Sequence, residues 1–514
     1  MKTVFMRIGP LRVLASLSGS LLLLLLKVGT ARAAEPALAT RPSILFAIAD
    51  DWSFPHAGAY GDTVVHTATF DRVAAEGVLF TRAFCVSPSC SPSRAAILTG
   101  QPPHRLEAGA NLWGTLPAKF PVYPDALEAA GYHVGFMGKG WAPGHLVDRK
   151  RNPAGPAFKS FEEFFKTVPT GEPFCFWYGS HDPHRPYKEG QGMESGLKLD
   201  EVKVPPYLPD SPETRGDILD YYFAVERFNK DTGHILDVLQ SAGRLDNTIV
   251  VMTSDNGWPF PRAKTNLYDS GTHMPLAIRW PAGVKGGRKV DALISQIDFA
   301  PTFLEAAGVD AKAMPDVAGH SFLSLLTQQP PTATTPPDDP QSVFFERERH
   351  ANVRQDDLGY PVRAVRTDHF LYIRNLTPDR WPAGDPQLWK AVGPFGDIDP
   401  GPTKEFLLAH RDDSDFGPLF NLACGKRPEE ELYDLDKDPG QFHSVAEYPD
   451  YAGQKKALRA RLDDWMKRTD DPRATFGADY KEFDQYDYFG GADIGLGAAP
   501  KTHPAGNPAT KPAR

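Results

Sequence analysis

The chain of 514 residues is long enough for one large domain and a smaller one, and its 41% hydrophobic and 24% charged residues are ordinary for a globular protein. A net charge of -9 offers no global positive field, which excludes nucleic acid as a bulk partner and requires local cations to hold any anionic substrate. Four cysteines without a C-x-x-C pair exclude a disulfide framework and carry no zinc signature.

At the N-terminus Lys2, Arg7 and Arg12 precede an apolar stretch that includes Leu21 to Leu26, followed by Ala31-Arg32-Ala33. This is the layout of a signal peptide over residues 1–33, and its apolar core is shorter than the ~20 residues a spanning helix needs. The mature protein is therefore expected to be exported, periplasmic or secreted, with no stable membrane span.

Residues 34–328 alternate strand-length apolar runs with helical patterns, which predicts an α/β domain built on a large, mostly parallel sheet. Strands are expected at 43–49, 133–137, 173–178 and 248–253. Helices are expected at 70–76 before Gly77, at 125–130 before Gly131, and from about 217 to 241. Residues 329–340, rich in proline and threonine, read as a linker. Residues 341–489 read as a smaller α+β domain with a hairpin (362–366 and 370–374) and an amphipathic helix at 454–467. The tail, 490–514, has little to bury and is expected to be disordered.

Four predicted strands exit into polar residues: Asp50-Asp51, Gly138-Lys139, His181-Asp182-Pro183-His184-Arg185, and Ser254-Asp255-Asn256-Gly257. Ligands of open α/β sheets bind beyond the carboxyl ends of the strands, so these exits point to one site. Each exit alone could be a turn or a helix cap. Together Asp50, Asp51, Asp255 and Asn256 form an all-oxygen set suited to Ca²⁺, or less well Mg²⁺. Crowded carboxylates would repel, and a divalent cation resolves that conflict.

Cys90 precedes Ser91-Pro92-Ser93-Arg94, with Ser91 expected as N-cap and Pro92 at the first helical position. Cys90 would then face the positive end of a helix, although an isolated cysteine there can equally be a small core residue. Arg94, Lys139, His181 and Lys264 could surround a tetrahedral anion, with Arg262 as a competitor of Lys264 in the same loop.

Cys90-Ser91-Pro92-Ser93-Arg94 followed by Ala95-Ala96-Ile97-Leu98-Thr99-Gly100 resembles the formylglycine signature of the type I sulfatases. The likeness continues in order through Ala49-Asp50-Asp51, Gly138-Lys139, His181-Asp182-Pro183-His184, Ser254-Asp255-Asn256-Gly257 and Glu431-Leu432-Tyr433-Asp434-Leu435. Within that family, residues 255–268 and 360–367 resemble the heparan N-sulfatases. The resemblance implies an alkaline-phosphatase-like α/β sandwich with a smaller C-terminal domain on an antiparallel sheet. It also implies that a maturation enzyme oxidises Cys90 to formylglycine, and that Asp50, Asp51, Asp255 and Asn256 hold Ca²⁺ together with that residue. Arg94 and Lys139 would steady the hydrated aldehyde, His181 would protonate the leaving group of a sulfated carbohydrate, and Lys264 would hold a sulfate oxygen.

Two departures stand out. Trp141 occupies the place where many sulfatases have a histidine, and Lys264 stands where the N-sulfatases have arginine. His184, Arg185, His273, Arg349 and His350 are candidate contacts to a sugar at the rim. A phosphodiester or phosphonate ester hydrolase of the same superfamily, or a catalytically silent binder of sulfated glycans, remain as alternatives.

Overall fold

The apolar runs expected to be strands pair edge to edge in the structure, a computed structural model that describes residues 41–328, 342–387 and 393–490. The expected signal peptide and linker lie outside these residues, as does the expected tail beyond Gly490. Strands β1 (Ser43–Ala49), β2 (Val78–Phe84), β3 (His133–Gly138), β4 (Phe174–Gly179), β5 (Thr248–Ser254), β6 (His273–Arg279), β7 (Arg288–Val290) and β8 (Ile294–Ser295) form one sheet. Their order is β3-β4-β1-β5-β6-β2-β7, with β8 beside β2. The strands β3, β4, β1 and β5 run parallel, whereas β6 is antiparallel to both of its neighbours.

A parallel sheet covered on both faces needs apolar side chains at consecutive positions, not at alternate ones. In β1, Ile44, Phe46 and Ile48 enter the core on one face, and Leu45, Ala47 and Ala49 enter it on the other. Five helices supply most of the cover: α1 (Ala68–Glu76), α2 (Cys90–Thr99), α3 (Tyr123–Ala129), α4 (Pro212–Ser241) and α5 (Phe299–Ala306). The first face packs against α2, α3 and α5, and the second against α1 and α4. Helix α4 starts earlier than its apolar pattern predicts, because the Ser211 side chain accepts from the Thr214 amide and Pro212 presets the first turn.

The C-terminal part carries β9 (Val343–Arg347), β10 (Val362–Arg366), β11 (Phe370–Asn375) and β12 (Glu430–Asp434) in a separate antiparallel sheet of order β12-β11-β10-β9. The expected hairpin forms its two inner strands. One face receives Leu458, Leu462, Trp465 and Met466 of helix α6 (Ala452–Arg468). The other face packs Val343, Phe345, Val362 and Leu371 against Phe84, Leu267 and Tyr268. That second contact grips the chain just after Lys264 and so ties the small sheet to the predicted site.

Candidate active site

Because β1, β3, β4 and β5 are parallel, their carboxyl ends share one edge, and the four polar exits meet there. Asp51 turns through the left-handed region at φ 74°, and its amide donates to Asp255 Oδ1 at 3.1 Å. The preceding amide, of Asp50, donates to the Asp182 carbonyl at 3.0 Å. Asn256 Nδ2 donates to Asp51 Oδ1 at 2.6 Å. All four oxygen-bearing side chains are buried. Ligand atoms of Asp50, Cys90 and Asp255 lie within 4.8 Å of one another, as do those of Asp51, Cys90 and His184.

Helix α2 begins at Cys90 itself, two residues earlier than expected, so Ser91 is not its cap. Ser89 holds the cap position in extended backbone, but its hydroxyl bonds His350 Nδ1 at 2.8 Å instead of the helix amides. Cys90 thus sits at the positive end of α2 with its sulfur 3.5 Å from Asp50 Oδ1. Burial pushes the thiol pKa up, and Asp50 and Asp255 add to this while Lys139 and Lys264 oppose it.

Three cations line the cluster. Arg94 donates through Nε to Asp255 Oδ2 at 2.8 Å and through NH1 to the Lys139 and Gly140 carbonyls at 2.7 and 3.1 Å. Lys139 Nζ donates to Asp50 Oδ2 at 2.6 Å, and Lys264 Nζ to Asp51 Oδ2 at 2.8 Å and Asp399 Oδ2 at 3.1 Å. Burial works against the charge on Lys139, but Asp50 overrides it and raises its pKa. Burial likewise favours the neutral acid at Asp50, yet Lys139, His184 and Arg94 hold its carboxyl far below the ordinary range. Asp255 goes the other way: burial, reinforced by Asp50 and Asp51, lifts it to about 6 against the pull of Arg94.

Four carboxylates (Asp50, Asp51, Asp255 and Asp399) face three lysine and arginine side chains (Arg94, Lys139 and Lys264). The Asn256 Oδ1 acceptor is buried without a partner. An excess of negative charge, an orphaned oxygen and an acid pushed toward protonation fit a hard divalent cation bound through oxygen.

The pattern of the family described as Sulfatase matches residues 42–145 and 155–309, and that described as "N-sulphoglucosamine sulphohydrolase, C-terminal" matches residues 257–382. Human N-sulphoglucosamine sulphohydrolase is 30% identical over 87% of this chain and 93% of its own length. The chain belongs to the sulfatase family. An ulvan-active sulfatase of Formosa agariphila is 29% identical over 86% of the chain and 77% of its own length. The same fold occurs in a solved structure in complex with its substrate D-glucosamine-2-N,6-O-disulfate, with a TM-score of 0.61, 20% identity, and coverage of 86% of this chain and 100% of that one.

The remaining expected residues of this sulfuric ester hydrolase divide into two groups. His181 is exposed at the edge of the cluster, where partial burial, Lys139 and Arg94 lower its pKa against the opposing pull of Asp50. His184 Nε2 is 3.7 Å from Asp51 Oδ2. His350 is buried behind Ser89, and burial lowers its pKa to about 3. By contrast, Arg185, His273 and Arg349 are taken up by internal packing and do not form the expected rim. Arg185 is bidentate to Asp217 at 2.7 and 2.7 Å and stacks on Phe260. His273 lies between the rings of Phe54 and Phe84 and bonds the Thr81 carbonyl at 2.8 Å. Arg349 binds backbone carbonyls of Asp484 and Tyr486.

Arg262 is not the rival of Lys264. Its guanidinium lies over the Tyr268 ring at 3.9 Å and donates to the Leu422 and Gln441 carbonyls. Trp141 turns into the apolar layer on the α2 side of the sheet, and its backbone is held on both sides by the Asn152 amide. Its ring therefore packs in the core, with the indole Nε1 buried and unpartnered. Two site residues escaped sequence reasoning. Asp399 arrives from the C-terminal part, and Gln296 bridges Ser93 Oγ and the Ser254 carbonyl. No motif marks either of them.

Proposed function

We propose that this sulfatase releases sulfate from an O- or N-sulfated carbohydrate of the glycosaminoglycan type, using Cys90 matured to formylglycine and a divalent cation, calcium in preference to magnesium. The observation that carries this reading is the convergence of Asp50, Asp51 and Asp255 on Cys90, with Asn256 bonded to Asp51 and its Oδ1 orphaned, ringed by Arg94, Lys139 and Lys264. The N-sulphoglucosamine sulphohydrolase match and the human relative support an amino-sugar substrate.

A buried thiol with a raised pKa is a poor nucleophile as cysteine, which favours a converted side chain at this position. Once formed from Cys90, the hydrated aldehyde would supply two hydroxyls, one to attack sulfur and one whose loss of a proton would break the bond to sulfate and restore the aldehyde. A serine would form a sulfate ester with no such exit. When bound, the cation supplies positive charge against the sulfate oxygens. Arg94 is locked by Asp255 and two carbonyls, which leaves its buried NH2 without a partner, 3.8 Å from Asp50 Oδ1 and ready to donate. Lys139 and Lys264 approach from opposite carboxylates, Asp50 and Asp51, and neutralise the charge that gathers on the transferring group. His181, on the open edge, donates a proton to the departing oxygen or nitrogen.

Residues 1–33 direct export in this reading, and a maturation enzyme converts Cys90. No helix among the described residues is long and apolar enough to cross a membrane. Turnover of N-sulfoglucosamine, a 6-O-sulfated glucosamine and an aryl phosphodiester by the matured enzyme tests the proposal. Sulfate release should dominate. Faster phosphodiester cleavage would replace it with the phosphoryl-transfer alternative, and glycan binding without release would leave only a silent binder.

A further inference from the structure

Lys264 lies between two buried carboxylates that differ in what else they can do. Asp51 belongs to the oxygen set around Cys90, whereas Asp399 lies outside both groups of potential cation ligands there. A cation drawn to Asp51 weakens that carboxylate's hold on Lys264, which donates to it at 2.8 Å. The other contact, 3.1 Å to Asp399 Oδ2, is unaffected by such a competitor. A buried ammonium group that lost both counter-charges would swing away.

The backbone around Asp399 is held firmly enough to serve as a fixed point. Asp397 accepts from Arg354 NH2 at 2.6 Å and from the Ala351 amide at 3.1 Å. The Ile398 carbonyl accepts from Lys404 Nζ at 2.7 Å, and the Ile398 side chain packs with Phe395 and Leu407. The cationic and titratable groups facing Asp399 are Lys264, His184, His350, Arg185 and Lys404. Among these, Arg185 is bidentate to Asp217 and Lys404 is bonded to a carbonyl, which leaves Lys264 as the direct ionic partner.

We propose that Asp399 is the positioning residue for Lys264, holding its ammonium group at the sulfate end of the site when Asp51 serves the cation. The C-terminal part of the chain thereby completes a site otherwise built by the large sheet. This rests on the sulfatase reading above.

The test compares the matured, calcium-loaded wild type with Asp399→Asn and Asp399→Glu. Inorganic sulfate affinity and calcium affinity are measured by calorimetry, and kcat and KM on an aryl sulfate and on a sulfated glucosamine. Asp399→Asn should weaken sulfate binding and raise KM on both substrates by about tenfold or more, the scale of one lost charge-assisted contact. Calcium affinity should stay within about twofold, and Asp399→Glu should recover part of the loss, since it keeps the counter-charge. Unchanged sulfate affinity would overturn the proposal. So would a loss confined to the sugar substrate, which would make Asp399 a sugar contact. A wild type that releases sulfate from nothing would instead sink the sulfatase reading, while the sulfate affinities would still decide the role of Asp399.

Discussion

One buried ionic cluster surrounds Cys90 at the start of α2, and a second forms around His104, a few residues beyond the end of the same helix. In the second, His104 Nδ1 lies 2.5 Å from Glu346 Oε2 and Nε2 lies 3.0 Å from the Thr469 carbonyl, so both ring nitrogens face acceptors and the ring is an imidazolium. Arg363 pairs with Asp471 and Glu348 at 2.7 Å each, and Arg473 grips Glu348 at 2.7 and 2.8 Å. Ligand atoms of His104, Glu346 and Asp471 lie within 4.8 Å of one another, as do those of Asp50, Cys90 and Asp255. Yet three cations (His104, Arg363, Arg473) balance three carboxylates (Glu346, Glu348, Asp471), and none of the six leaves a buried polar atom unpartnered. The Cys90 cluster instead carries orphaned buried atoms on Asn256 and Arg94. Donor spacing alone does not separate a binding site from a structural knot. Unmet hydrogen-bonding demand does, and it supports the chemistry proposed at Cys90 and a structural role for the cluster at His104.

The contrast breaks most sharply at Cys90. Cys90→Ala should lower turnover by about 10⁴-fold or more, the scale seen when a nucleophile is removed, while the melting curve stays near that of the parent. Equal activity in the variant would remove Cys90 from the chemistry. Glu346→Ala should do the reverse. Removing the buried carboxylate that His104 Nδ1 faces at 2.5 Å costs about 3–5 kcal/mol in a denaturant titration, and the folded fraction keeps its kcat. Calcium should discriminate next. At about a hundredfold its Kd it should stabilise the parent and Glu346→Ala by about 2.7 kcal/mol and leave Asp255→Asn nearly unmoved. The gain should shrink below about pH 6, because Asp255, raised to about 6 by burial and its neighbours, then carries a proton that the ion must displace.

The smallest effect concerns His104. Burial opposes its charge, but Glu346 and Asp471 prevail and raise its pKa. Its contribution to stability is therefore complete below the unfolded histidine value of about 6.5 and is lost as pH rises through the elevated folded value. Stability measured against pH should fall on that alkaline limb by about 1.4 kcal/mol for each unit of elevation, and His104→Gln should flatten it. An unchanged slope would show that His104 is not the charged member of the knot.

The strands that frame the site were legible because buried parallel strands are continuous apolar runs, and those at 43–49, 133–138, 174–179 and 248–254 end in polar residues. The Asp50, Asp51, Asp255 and Asn256 set followed from those exits. What was not legible depends on partners distant in sequence. Ser89 caps α2 without a capping bond because its hydroxyl is claimed by His350, 261 residues away. Arg185 and Arg349 read as rim cations, but Asp217 and the carbonyls near Asp484 draw them inward. Asp399 sits among glycine, aspartate and proline residues that signal only turns. Strand β2 was missed because its polar Thr81 and Arg82 interrupt the apolar run.

The most direct test is mass spectrometry of the tryptic peptide 83–94 from the exported protein, produced in a host able to mature sulfatases and alkylated before digestion. This peptide contains Cys85 and Cys90, both buried free cysteines in the fold, so Cys85 serves as an internal control. The formylglycine mechanism predicts a peptide alkylated once, at Cys85, with Cys90 having lost the elements of hydrogen sulfide and gained one oxygen. A peptide alkylated at both positions in enzyme that is fully active would contradict it.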